Sequence, residues 1–380
     1  MKKILAAAAV IAAMLLCGIC CRAEETVSAV DTDELYDSLG IDDSEISENI
    51  PDEAKRIFSE NGITVSDSGD FAEIDPSDII SYILDSFRSN LTYPLRVLGT
   101  MICTAMLSAA VSAFSSASDS RTAKVYEIMS VLITTAAAAA PAADCINSMI
   151  ATMKAGGVFM LSYVPVYAGI AISSGSVTGA AAYNMTVMAV SEGAVQLSSH
   201  VLLPLMSMCM AMGIIDGINP DFSLGAVTLL IGKIVSFVIG VVMTVFTGML
   251  ALQNALGTAA DTVGVKAAKL AVANLVPVVG GALSDTYTAV RSGLALLRNA
   301  AGIYGIAAVA LTVLPPVIEA ASLYLAVNIG GAFAEMLGQN GIAKLLKNIS
   351  GVIGMAMSLL LCYGAMLIIS TGILMYGITA

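Results

Sequence analysis

From Tyr93 onward the chain is a succession of apolar windows of about twenty residues, the length an α-helix needs to cross the hydrocarbon core of a bilayer. They fall near residues 95–114, 128–149, 156–173, 195–215, 230–252, 302–327 and 350–378. A shorter, eighth candidate covers 268–284. In hydrocarbon every backbone N–H and C=O needs a partner inside the protein, so windows of this length are read as helices. The expected fold is all-α: a polytopic membrane helical bundle of about 7–8 spans. Composition agrees, with 57% hydrophobic and 12% charged residues, where soluble domains carry about a quarter charged.

The N-terminus reads as an export signal. Met1-Lys-Lys precedes an apolar run, Ile4–Cys20, and Cys21-Arg-Ala23 offers a small-x-small cleavage site, so residues 1–23 are expected to leave. The alternative is an uncleaved anchor. Residues 24–92 form an acidic region placed outside the cytoplasm, holding most of the chain's 29 acidic side chains against few basic ones. Such a head is repelled by nucleic acid and by anionic lipid, so nucleic-acid binding is not expected. Asp75-Pro-Ser-Asp78 is a helix start, and Ile79, Ile80, Ile83, Leu84, Phe87 and Leu91 make an apolar stripe over about 76–91. That helix either lies on the membrane or body surface or docks a partner. With an exported N-terminus, Arg121 and Lys124 fall on the cytoplasmic side, and the remaining basic residues do not settle orientation.

Catalysis and metal binding find little support. The single histidine, His200, reads as a helix-end or loop residue beside Ser198 and Ser199, and cannot supply a multi-histidine site. Of seven cysteines, Cys17, Cys20 and Cys21 lie in the leader, and Cys103, Cys145, Cys209 and Cys362 are scattered through apolar segments without metal spacing and read as small hydrophobes. Met206-x-Met208-Cys209-Met210-x-Met212 resembles a soft copper-binding string. Residues two apart on a helix diverge, however, so packing is the simpler role. No enzyme activity and no cofactor are expected.

Offsets reveal an internal repeat. Lys154, Val164, Pro165, Val166, Gly169, Leu202 and Pro204 recur 112 residues later as Lys266, Val276, Pro277, Val278, Gly281, Leu314 and Pro316. Lys233-x-x-Ser236-x-Val-Ile-Gly240 recurs as Lys347-x-x-Ser350-x-Val-Ile-Gly354, at an offset of 114. Two leading helices (93–152) would then precede membrane repeat 1 (153–252) and repeat 2 (265–378). Three crossings per copy require inverted copies, and two require parallel ones; the sequence leaves both open.

The segments around Pro165 and Pro277 are apolar yet interrupted by proline and glycine, as discontinuous membrane helices are. Candidate broken-helix or pore elements are Pro165, Gly169, Pro204, Pro277, Gly280, Gly281, Ser284, Asp285, Asn299, Pro315, Pro316 and Glu319. Glu319 sits near the middle of its window, where an ionisable residue is a functional candidate by default. A shorter helix would instead leave it at the interface. Ser284, Asp285, Arg291, Arg298 and Asn299 either line a polar path or form the wet face of an interfacial helix. Glu192 and Asp144 read as loop residues.

Val276-Pro-Val-Val-Gly280, Ser284-Asp285 and Leu296-Leu-Arg-Asn-Ala-Ala-Gly302, in that order, resemble the stage III sporulation protein AE family of endospore-forming bacteria. Gly281 and Arg298 stand where family members often carry Lys, which tells against a requirement for Lys at the former position. The resemblance implies a multi-pass protein of the mother-cell membrane facing the forespore. Its implied setting is a secretion-like transenvelope complex with other membrane and ring-forming subunits, a cytoplasmic ATPase and a forespore-side partner. That complex supports late forespore gene expression and is often described as a feeding channel; the family brings no established catalytic or ligand residues. Three roles follow as hypotheses: a subunit forming or gating a permeation path, a non-conducting platform for ATPase and rings, and an autonomous small-molecule permease.

Overall fold

A computed structural model describes residues 91–115, 120–218, 225–275 and 280–376, together with Ile50, Pro51, Ala54, Lys55, Arg56 and Phe58. The leader, nearly all of the acidic region and the expected helix over 76–91 lie outside the described residues. The described elements are helices: α1 (Thr92–Ser115), α2 (Ser120–Ser173), α3 (Val177–Leu197), a π-helical segment (Ser198–Leu202), α4 (Leu203–Ile218), α5 (Gly225–Leu275), α6 (Gly280–Met336) and α7 (Asn340–Tyr376).

Among the described residues six helical stretches are long and apolar enough to cross a membrane. The seven long windows map onto these six because two of them merge. Ile150 to Ala155, between windows 128–149 and 156–173, carries one charge, Lys154, and no helix breaker, so α2 runs straight through. The window at 195–215 likewise belongs to one rod, Val177–Ile218, in which α3, the π segment and α4 follow without a gap. The expected boundaries at 152/153 and 252 therefore fall inside α2 and α5. The short candidate at 268–284 is divided between the end of α5 and the start of α6, and Pro277 lies outside the described residues.

Two tight turns show how the rods reverse. At the end of α2, Gly175 takes φ 96°, and its N–H and that of Ser176 donate to the carbonyls of Ile172 and Ala171. At the end of α6, Gly338 takes φ 72°, with Gly338 and Gln339 donating to Glu335 and Ala334. Both are glycine-terminated helix ends that satisfy carbonyls the helix leaves orphaned. The second turn is tied to α1, where the Ser108 hydroxyl donates to Gln339 Oε1 at 2.6 Å. The α3 start is capped from afar: Asp261 of α5 accepts from the N–H groups of Thr178 (2.9 Å) and Gly179 (3.1 Å).

Contacts along α7 give every rod a direction. Gly330, Tyr324, Val313 and Gly302 of α6 meet Leu346, Gly354, Gly364 and Met375 of α7, so these two are antiparallel. Val131 and Gly156 of α2 meet Gly341 and Tyr363, so α2 is parallel to α7. Tyr183 and Ser191 of α3 reach Thr371 and Tyr363, and Gly213 and Gly217 of α4 reach Asn348 and Gly341, so that rod is antiparallel. It is also antiparallel to α5, through Gly179 with Gly257 and Thr186 with Gln253. The result is an up-down bundle around α7. Pro204 and Pro316 sit on rods running one way, Lys233 and Lys347 on rods running the other, so segments matched at the repeat offsets run in the same sense.

Several expectations need correction. Pro165 does not break α2; it lies exposed within a continuous 54-residue helix, and Pro315 and Pro316 lie within α6. One missing N–H costs a single rung of a long ladder, and other groups in the bundle can satisfy the freed carbonyl. Ahead of Pro204 the chain adapts differently: Leu203 N–H reaches back five residues to Ser198 C=O, forming the π segment. His200 lies in that segment in mid-rod, and Asp144 and Glu192 are exposed helical residues, because isolated polar side chains do not end a helix.

A Cβ at Gly338 would touch nothing, so substitution there tests backbone strain alone. Gly338→Ala should lower stability by about 1–2 kcal/mol, and Gly338→Asn by less, in detergent-titrated unfolding; equal stability of all three would refute a strained turn.

Candidate functional site

The stretch Leu296-Leu-Arg-Asn-Ala-Ala-Gly302 lies on α6 where α7 ends. Arg298 is only 1% exposed, and its Nη2 donates to the Met375 carbonyl at 2.9 Å. That carbonyl belongs to the last turn of α7, at the negative end of the helix dipole, so the guanidinium both caps an orphan group and meets a favourable field. Burial rules out the reading of Arg298 as part of a wet interfacial face. Asn299, one position on, is half-buried with its Oδ1 enclosed and without a hydrogen-bond partner.

Opposite this stretch α2 presents an aromatic ladder at helical spacing. Phe159, Tyr163 and Tyr167 stack in sequence with centroids 5.3 Å apart, and Tyr167 meets Tyr183 of α3 edge-on at 5.8 Å. The Tyr163 hydroxyl donates to the Ala301 carbonyl at 2.9 Å. Gly302 and Gly305 make this contact possible: a Cβ at Gly302 would stand 2.8 Å from Tyr167 Oη, and one at Gly305 would collide with the Tyr163 ring. Tyr167 Oη is buried without a hydrogen-bond partner beside them. Phe58, from the region before the rods, meets Tyr304 of α6 with ring centroids 4.7 Å apart and planes tilted by 32°.

A second polar group lies near mid-length of the rods. Half-buried Glu319 of α6 and exposed Asp144 of α2 both come within electrostatic reach of Tyr93 at the start of α1, and Glu319 within reach of the Cys145 thiol. Asp144 sits between Val131 and Gly156, which align with Gly341 and Tyr363; Glu319 sits between Val313 and Tyr324, which align with Gly364 and Gly354. Both carboxylates therefore lie near the middle of α7, far from its ends. On the other side of α6 a cavity of about 260 Å³ opens between α5, α6 and α7, lined by Ser236, Ile239, Tyr324, Gly351, Gly354 and Ser358. Four of these belong to the two Lys-x-x-Ser-x-Val-Ile-Gly segments, which thus pack against each other.

The structure does not bring all the predicted residues together. Asn299 joins the Arg298 junction. Glu319 follows Pro315 and buried Pro316 by one turn and faces α1 and α2. Pro165 and Pro204 are exposed on separate rods, and Gly169 is half-buried with open space above its Cα. Gly280, Gly281, Ser284 and Asp285 open α6, with side chains outside the described residues. Sequence reasoning missed the tyrosine ladder, although its four-residue spacing was visible, and Asp261, whose role depends on a partner 82 and 83 residues away. Among the described residues no group of three His, Cys, Asp or Glu side chains could hold a metal ion.

Helices of this length and composition make this a polytopic α-helical membrane protein. The family model for stage III sporulation protein AE matches residues 65–377, and the chain belongs to that family. It is similar to the stage III sporulation protein AE of Bacillus subtilis (strain 168), 24% identical over 192 residues, covering 50% of this chain and 48% of the relative. The chain thus spans about half the length of that curated relative. No solved structure matches.

Arg298→Met should expose the end of α7, costing about 1–3 kcal/mol for the uncapped carbonyl and speeding amide hydrogen exchange over residues 370–376. Arg298→Lys, keeping a cation at the helix end, should retain most of the protection. Unchanged exchange in both would show that the cap carries no weight.

Proposed function

We propose that this chain is a membrane subunit of a sporulation-specific, secretion-like complex between mother cell and forespore, in which it forms or gates a permeation path. Family membership supports the setting. The observation that carries the path is Glu319, a half-buried carboxylate on α6 that follows buried Pro316 by one turn and lies within electrostatic reach of Tyr93 at the start of α1. An ionisable group at membrane depth is costly and is kept where it meets a cavity, a partner or a passing solute. In this reading the acidic N-terminal region is extracytoplasmic, and the leader directs its export. The rods descend from a parallel duplication, supported by the common direction of the matched segments. The cytoplasmic ATPase, ring-forming proteins and a forespore-side partner complete the complex.

A non-conducting platform is the second reading. It is favoured by α5, of whose most apolar window only 11% is buried, leaving a long face for other proteins. Glu319→Gln separates the two. At normal protein level it should reduce heat-resistant spores and late forespore reporter expression by at least about tenfold if a path needs the charge, while Glu319→Asp retains most of both. Full sporulation of Glu319→Gln favours the platform.

A further inference from the structure

The outer rod α5 and the outer face of α2 carry matching strings. On α5 an exposed apolar ridge runs through Leu230, Ile234, Phe237, Val241, Val245 and Leu252 and continues to Val263. From Leu230 to Val263 it measures about 50 Å at 1.5 Å per residue, against a hydrocarbon core of about 30 Å. Lipid tails therefore cannot cover the whole ridge. Beside it stand two exposed residues of another kind, Lys233 and Gly240, seven positions apart, with Ser236 between them at the cavity shared with α6 and α7. On α2 the outward face presents Asp144 and Ala151 at the same separation, both exposed.

Height and direction also match. Gly232, beside Lys233, packs on Met355 of α7, and Asp144 lies between residues aligned with Gly341 and Tyr363, so both charges sit near the middle of α7. Both α2 and α5 run parallel to α7, so copies inserted in one orientation present the two strings in parallel. Within one chain the strings cannot meet. The α5 rod packs on α3, α4, α6 and α7, whereas Asp144 faces the side of α2 where α1 begins. Neither Lys233 nor Asp144 has an ion-pair partner among the described residues, so each charge is open to an opposite charge from a second copy.

We propose that copies of this chain associate head to tail, with α5 of one copy on α2 of the next. Lys233 pairs with Asp144, and Gly240 meets Ala151. Leu229 then falls on Ala140. Polar pairs and small residues are the groups that hold helices together in membranes, where apolar side chains gain nothing by leaving lipid. Because the two faces differ, each added copy leaves one of each kind open, and the contact repeats from copy to copy.

The test uses the full chain in native membranes, with its own cysteines replaced. Carrying both Lys233→Cys and Asp144→Cys, it should give a ladder of disulfide-linked oligomers on mild oxidation. Met185→Cys, on α3 and 80% exposed, should not. In chains without the cysteine pair, Lys233→Asp or Asp144→Lys alone should abolish oligomers seen in lipid nanodiscs, and the two together should restore them. A monomer in nanodiscs, a charge swap that restores nothing, equal linking through Met185→Cys, or Asp144→Cys linking to a different membrane protein would each overturn the proposal.

Discussion

Every rod in this protein must satisfy its own backbone, and the architecture follows from where that fails. Along the rods the hydrogen-bond ladder is internal, so the chain tolerates proline at positions 141, 165, 315 and 316 without leaving the helix. At the rod ends the ladder runs out, and the structure spends its polar side chains there. Arg298 takes the last turn of α7, Asp261 takes the first turn of α3, and glycines 175 and 338 fold back onto orphan carbonyls. These caps join rods distant in sequence, so satisfying an end also fixes a neighbour.

Between the ends, packing is graded around α7. The most apolar window of α7 is 61% buried, while that of α5 is 11% buried. The difference comes from position: α7 touches α2, α3, α4, α5 and α6, whereas α5 closes one edge. Close approach around α7 depends on small residues. Gly302 and Gly305 admit the tyrosine ladder of α2, and Gly156 and Gly157 admit Tyr363. The family-like stretch at 296–302 thus owes its composition to geometry: a cation for the helix end, then small residues for a tyrosine hydroxyl.

The mid-length polar groups belong to a different logic. Glu319, Asp144 and Lys233 cap nothing, and helix formation does not need them. Glu319 faces α1 and α2, Lys233 faces outward from α5, and Asp144 faces outward from α2. Their placement relates to what lies between or beside rods, which is why the functional proposals rest on them.

Much of the fold was legible in the sequence, because apolar length and low charge leave the backbone few alternatives to helix. The acid at Glu319 stood out for the same reason, as a charge in an apolar window. What the sequence could not reveal was continuity and partnership. Lys154 lies between two of the apolar windows without ending a helix, so the two windows form one rod. For Arg298 the sequence leaves a polar path and a wet face open, because a one-dimensional pattern records a charge and not the carbonyl that receives it. By itself the sequence determined that the chain is helical, apolar and of one family, since those depend on local periodicity and composition. Only the tertiary structure decided that the rods alternate around α7, that segments matched at the sequence offsets share a direction, and which charges are buried. Those depend on contacts between residues tens to hundreds of positions apart, and no local pattern encodes them.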